Sequence, residues 1–121
     1  MSISFDTQLL RAKDAYFSHD YDLAIKLLGE CLKEQPDNIE VLSSLGKVYV
    51  GAGNDEEALK YYSRVLELDS KNFTATDNIG SIYRRLGRYQ DSVDILNKAF
   101  EIEKDSVDIY YNLGQTYKAM N

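Results

Sequence analysis

Leu45-Gly46-Lys47-Val48-Tyr49 is written again as Ile79-Gly80-Ser81-Ile82-Tyr83 and as Leu113-Gly114-Gln115-Thr116-Tyr117, each copy 34 residues after the last. Self-similarity at a fixed period of this size is the mark of a chain that stacks one supersecondary unit on the next. Stacked units bury a continuous core and offer an extended surface, so function must be sought along a face.

Outward from these pentads the apolar residues keep helical spacing. Leu42, Leu45 and Tyr49 mark one helix, and Ala58, Tyr61, Tyr62, Val65 and Leu66 mark the next, with Gly51-Ala52-Gly53-Asn54 between them. Each period therefore reads as a helical hairpin. Asn38, Asn72 and Ser106 stand just before the first helix of successive units, where a short polar side chain can accept hydrogen bonds from unpaired backbone N–H groups. Asn54, followed three residues later by Glu57, predicts a capping pair for a second helix. No stretch alternates apolar and polar residues long enough to read as a strand, so the fold class is all-α.

Composition narrows the function classes. With 121 residues, 44% of them hydrophobic and 28% charged, the chain reads as a single domain over residues 1–121. The net charge is −6, from 14 Lys and Arg against 20 Asp and Glu. Nucleic acid is therefore disfavoured as a partner, because phosphate binding needs a dense basic footprint. No apolar run approaches the roughly 18 residues that cross a bilayer, which predicts no membrane insertion. The opening Met1-Ser2-Ile3-Ser4-Phe5-Asp6 lacks the basic start and apolar stretch of a secretion signal, so the expected location is cytoplasmic. Cys31 is the only cysteine and cannot form an internal disulfide, which fits a reducing compartment.

Enzyme chemistry finds few of its usual parts. One histidine and one cysteine cannot build a His/Cys zinc cluster, and neither a metal nor a cofactor is expected. His19 would be the base for any serine nucleophile, yet it replaces a turn glycine between helices. Gly51-Ala52-Gly53 ends a helix and lacks a following Gly-Lys-Ser/Thr, so it is no phosphate loop. Asp55-Glu56-Glu57 falls in a first helical turn, where acidic groups oppose the helix dipole. The expectation is a chain that is not an enzyme.

These columns resemble the tetratricopeptide repeat (TPR). The best match is residues 73–106, through Ile79-Gly80, Tyr83, the turn Gly87-Arg88-Tyr89 and Ala99. Residues 39–72 match through Leu45-Gly46, Tyr49, Gly53, Ala58, Tyr62 and Val65. Residues 5–38 are looser: Ala12 stands for the glycine, Ala15 for the tyrosine, His19 for the turn glycine and Cys31 for a small residue, while Ala24 and Pro36 fit. A final helix follows over 107–120. The resemblance implies a right-handed superhelical solenoid of about seven helices. Ala12, Gly46, Gly80 and Gly114, with Ala24, Ala58 and Ser92 facing them, read as close-packing positions between paired helices. Tyr16, Phe17 and Tyr111 fall outside the packing columns.

The resemblance also says where a partner would lie, since the first helices of such repeats line a concave groove that receives extended peptides or a partner's helix. The groove columns hold Lys13, Lys47, Ser81 and Gln115, then Tyr16, Val50, Arg84 and Lys118, with Phe17 and Arg85 beside them. A neighbouring column holds Leu10, Ser44, Asn78 and Asn112, where family members that grip peptide backbones carry an asparagine ladder. An amide side chain offers both donor and acceptor to a peptide group. The expected binding residues are Lys13, Tyr16, Phe17, Lys47, Asn78, Arg84, Arg85, Asn112 and Lys118, and the expected partner is an extended protein segment, acidic or of mixed charge. Asp6, Glu40, Asp77 and Asp108 lie close enough in sequence register to neutralise the basic stripe. The branch of the family that clamps chaperone C-termini uses lysine, two asparagines, lysine and arginine in five columns that here hold Leu9, Lys13, Ser44, Thr74 and Asn78. A chaperone tail is thus not the expected ligand.

Residues 107–120 carry the first-helix signature, with Tyr110, Leu113-Gly114 and Tyr117, and no second helix follows within the 121 residues. Two alternatives to a groove-binding scaffold or adaptor stay open: a self-associating scaffold closed as a homodimer through Tyr110 and Tyr117, and the adaptor region of a larger enzyme. A third reading lays these tyrosines onto the preceding unit.

Overall fold

The computed structural model describes residues 3–121; Met1 and Ser2, the start of the stretch read for a leader, lie outside the described residues. Seven helices follow one another, and no strand occurs among the described residues: α1 (Phe5–Phe17), α2 (Tyr21–Glu34), α3 (Ile39–Gly51), α4 (Asp55–Leu68), α5 (Phe73–Arg85), α6 (Tyr89–Ile102) and α7 (Val107–Met120). The chain forms two compact units, Met1–Tyr61 and Tyr62–Asn121, with the boundary inside α4.

Helix starts follow from side chains that accept from first-turn amides. The Val41 N–H donates to Asn38 Oδ1 at 3.0 Å, the Glu57 N–H to Asn54 Oδ1 at 3.2 Å, and the Ala75 N–H to Asn72 Oδ1 at 2.9 Å. Ser4 and Asp20 do the same for α1 and α2. Each such bond satisfies an N–H that the helix itself cannot pair. Ser106 occupies the N-cap of α7 but makes no side-chain cap bond, which departs from the sequence expectation.

The tight turns between paired helices need a left-handed residue. Gly53 (φ 80°) and Gly87 (φ 78°) supply it at no steric cost, and His19 (φ 60°) adopts it in the first turn. The His19 Nδ1 lies 2.8 Å from the Tyr21 hydroxyl and its ring meets Tyr21 edge-on, contacts that hold a non-glycine residue in this conformation.

In the first unit α1 packs on α2 and α2 on α3, with a smaller α1–α3 contact. Leu9, Ala12, Ala15, Ala24, Leu27, Leu28, Cys31, Val41, Leu45 and Val48 form the core, flanked by half-buried Tyr16, Tyr21, Tyr49 and Tyr61. Tyr49 and Tyr61 stack at 5.6 Å with rings nearly parallel. In the second unit α6 packs between α5 and α7 around Leu96, Ala99 and Ile109. A buried polar chain ties these three helices: Ser92 Oγ donates to the Gly80 carbonyl at 2.8 Å and lies 2.9 Å from Thr116 Oγ1, whose one proton is shared between Ser92 Oγ and the Asn112 carbonyl. Small residues at these positions let helices approach until backbone and hydroxyl touch, and every buried polar side-chain atom described has a partner.

Candidate functional site

Between α1 and α3 the first unit opens a cleft of about 260 Å³ lined by Ala12, Lys13, Tyr16, Phe17, Leu28, Ser44, Lys47 and Val48. The helical period creates it: Ala12, Lys13, Tyr16 and Phe17 share one face of α1, and Ser44, Lys47 and Val48 one face of α3. Ala12 is too small to fill the space between the helices, so Leu28 and Val48, both buried, form its apolar floor.

The rim is aromatic and basic. Phe17 is 71% exposed, a large apolar surface to leave in water, and its ring meets Tyr16 edge-on at 5.4 Å. The Lys47 ammonium sits 5.1 Å from the Tyr16 ring centre and 5.8 Å from that of Phe17, within the reach of cation–π attraction. Lys13 instead forms an ion pair with Glu40 at 2.6 Å, so Glu40 does neutralise part of the stripe. Tyr16 departs from expectation: it is half-buried against the core and 6.0 Å from the Tyr21 ring, because that tyrosine, from the start of α2, covers its inner side.

Sequence-predicted residues of the second unit are arranged differently. Asn78 Nδ2 donates to the Thr74 carbonyl of its own helix at 2.7 Å, and Asn112 Nδ2 donates to Asp77 Oδ1 at 2.7 Å. One donor of each amide is thus used internally. Arg84 is half-buried and Arg85 exposed in the last turn of α5, where their charge complements the helix dipole. Lys118 shares an open hollow on α7 with Tyr110, Tyr111, Gly114 and Gln115. Tyr110 is 57% and Tyr117 50% exposed; Tyr110 does reach back, edge-on, to Phe100 at 5.5 Å.

Burial raises the Asp77 carboxyl above its ordinary range, the Asn112 hydrogen bond pulls it down, and Asp108 raises it further. The folded chain therefore holds this proton more tightly than the unfolded chain, so ionised Asp77 opposes folding at neutral pH, and that cost fades as pH falls from the raised value to the ordinary one. Asp77→Asn is expected to raise the melting temperature at pH 7, with the gain shrinking as pH falls below the raised value and gone below the ordinary carboxylate value; thermal melts of both proteins across pH check it. A gain unchanged by pH would contradict this account.

Burial, with Glu34 and Glu30 adding to it, also pushes the Cys31 thiol up, which keeps it protonated and poorly nucleophilic. Among the described residues no group of three or more His, Cys, Asp or Glu is placed to hold a metal ion, and no helix is long and apolar enough to cross a membrane. Leu28 and Val48 are cleft residues that sequence reasoning did not single out, and Ser44 is one that it placed in the amide column; the signal for them was the small Ala12 opposite.

Comparison with known proteins places this geometry in a family. The family model described as Tetratricopeptide repeat matches residues 18–75, and that described as TPR repeat matches residues 80–121. No curated protein matches the chain. Among solved structures, the Sgt2 TPR domain from Aspergillus fumigatus is 21% identical over 98% of this chain and 80% of that one, with a TM-score of 0.87. The MamA protein is 28% identical over 96% of this chain, with a TM-score of 0.88; the chain spans 63% of its length, less than two thirds. The first TPR of Spaghetti (RPAP3), bound to the HSP90 peptide SRMEEVD, is 14% identical over 96% of this chain and 92% of that one, with a TM-score of 0.89. Seven helices in one 34-residue register, with small residues where paired helices meet and two models of one family covering both halves, place this chain in the tetratricopeptide repeat family.

Proposed function

We propose that the chain is a non-catalytic protein-interaction module that binds an extended segment of a partner protein on first-of-pair helices, α1 and α3 in the first unit or α5 and α7 in the second. Repeats of this family generally mediate protein–protein interaction. The observation that carries the reading is the α1–α3 cleft, where an apolar floor lies open beside a phenylalanine 71% exposed to water. An exposed large aromatic next to a concave apolar site is the usual composition of a contact point. Lys13, Tyr16, Phe17 and Lys47 supply the contacts of the first unit. Asn78, Arg84, Arg85, Asn112 and Lys118 are proposed contacts of the second, with the asparagines acting through their carbonyl oxygens and remaining N–H groups.

The test is panning of random peptides against the purified chain and against Lys47→Glu. Enrichment that is salt-sensitive and lost on Lys47→Glu is the expected result, with affinities in the micromolar range. Equal enrichment on both proteins would take Lys47 out of the contact set, and no enrichment on either would sink the reading. A chaperone C-terminal pentapeptide serves as a further probe. Leu9, Lys13, Ser44, Thr74 and Asn78 give its terminal carboxylate neither the second lysine nor the arginine, and binding weaker than about 10 μM, or roughly −7 kcal/mol, is expected.

A second reading, self-association through α7, is favoured by one contrast. A Cβ built on Gly80 would collide with Leu96 of the covering helix, whereas one built on Gly114, in the same column, meets nothing within 4 Å. The groove that Leu96 fills on α5 stands open on α7, flanked by Tyr110 and Tyr117. Light scattering over about a hundredfold concentration range reads this directly. A dimer abolished by Tyr117→Asp supports it, and a monomer throughout removes it.

A further inference from the structure

The Lys47 ammonium is the feature of the cleft that the interaction reading does not use up. Of the two lysines lining the cleft, Lys13 is paired with Glu40, while Lys47 has no carboxylate within ion-pair distance among the described residues. Its neighbours are the Tyr16 and Phe17 rings, at 5.1 and 5.8 Å. Cation–π contact holds an ammonium in place without cancelling its charge. A fixed positive charge thus stands at the mouth of an apolar cleft on a chain whose net charge is −6.

The cleft itself sets the size of what enters. About 260 Å³ falls below the roughly 300–1,000 Å³ of sites that enclose a drug-sized ligand or cofactor. Leu28 and Val48 at the floor and Tyr16 at the wall favour an aliphatic or aromatic group there. One large side chain from a partner meets both conditions. In an extended segment side chains two residues apart point the same way, roughly 7 Å from each other. A side chain seated in the cleft therefore brings its second neighbour, on either side, towards the rim where Lys47 stands.

We infer that the α1–α3 cleft recognises an internal motif of an extended partner segment, a Leu, Met or Phe anchor with an Asp or Glu two residues away, the anchor filling the cleft and the carboxylate pairing with Lys47. This deepens the peptide-binding reading and rests on it. Affinity comes mainly from burial of the anchor, and the carboxylate supplies selectivity over segments that are merely apolar.

The experiment uses two random-peptide libraries, one displayed inside a loop so that no peptide end is free, the other ending in a free C-terminus. Both are panned on the wild-type chain and on Lys47→Gln, an exposed position whose change leaves the core intact. From the loop library the expected consensus is an apolar residue with an acidic residue two positions away. A capped synthetic consensus peptide should lose about thirtyfold in affinity when its anchor becomes serine. It should lose about fivefold when its acid becomes the amide. The second loss should vanish against Lys47→Gln, which couples the two groups. A consensus without an acid, or an amide penalty that persists against Lys47→Gln, overturns this inference and leaves peptide binding standing. Enrichment confined to free C-termini also overturns it, since the carboxylate would then be terminal. No enrichment from either library on the folded chain brings down the peptide-binding reading as well.

Discussion

Gly80→Leu is expected to destabilise the second unit by about 3 kcal/mol, with Gly80→Ala already costing about 2 kcal/mol, because both overpack a filled helix crossing. The Cβ of any residue at this position would lie 2.5 Å from Leu96 Cγ and closer still to one of its methyls. Leu96 cannot swing aside, since it is fully buried in the core of the unit. Nor can the helices move apart without breaking the hydrogen bond from Ser92 to the Gly80 carbonyl. Gly114→Ala provides the contrast. Nothing approaches its Cβ within 4 Å, so the change should gain about 1 kcal/mol of helix propensity. Thermal unfolding followed by circular dichroism separates the two: opposite shifts are expected, and a Gly80→Ala protein as stable as wild type would refute the packing account.

Leu28→Ala is the second large effect, expected to cost about 3 kcal/mol in urea unfolding. Leu28 is 1% exposed and belongs both to the core of the first unit and to the floor of the cleft. Truncation removes buried methyl groups and leaves space that surrounding residues fill only in part. Phe17→Ala, at the rim of the same cleft, should change stability by less than about 0.5 kcal/mol, because its ring is mostly in water. The pair distinguishes the two sides of the site. If Phe17→Ala proved as costly as Leu28→Ala, Phe17 would be a packing residue and its candidacy for contact would end.

The fold was legible because its rules are local or periodic. Leu45-Gly46, Ile79-Gly80 and Leu113-Gly114 set the period, Asn38, Asn54 and Asn72 mark helix starts, and His19 stands in a turn-glycine column, where the structure has it left-handed. The site was legible only as a list of columns. Lys13 and Lys47 read alike in sequence, yet one is neutralised by a residue 27 positions away and the other rests on two rings of a different helix. Asn112 read as a free amide, and its partner Asp77 lies 35 positions back. Such partners are chosen by helix packing at side-chain detail, which a column pattern does not encode. Ser106 shows the opposite limit: a residue suited to capping stands in the right place without making the bond.

The Ser92–Thr116 contact has a consequence for α7 that its bare outer face conceals. Apolar helix packing alone tolerates a slide of one turn, since one branched side chain can take another's place. The Ser92 and Thr116 hydroxyls cannot slide past each other without losing their mutual contact in a dry interior. The chain thus holds its last helix in a single register by polarity rather than by coverage. Whatever docks on Tyr110, Gly114 and Tyr117 meets a surface already set in position, and the ordering cost that a loose terminal helix would impose on binding is largely absent.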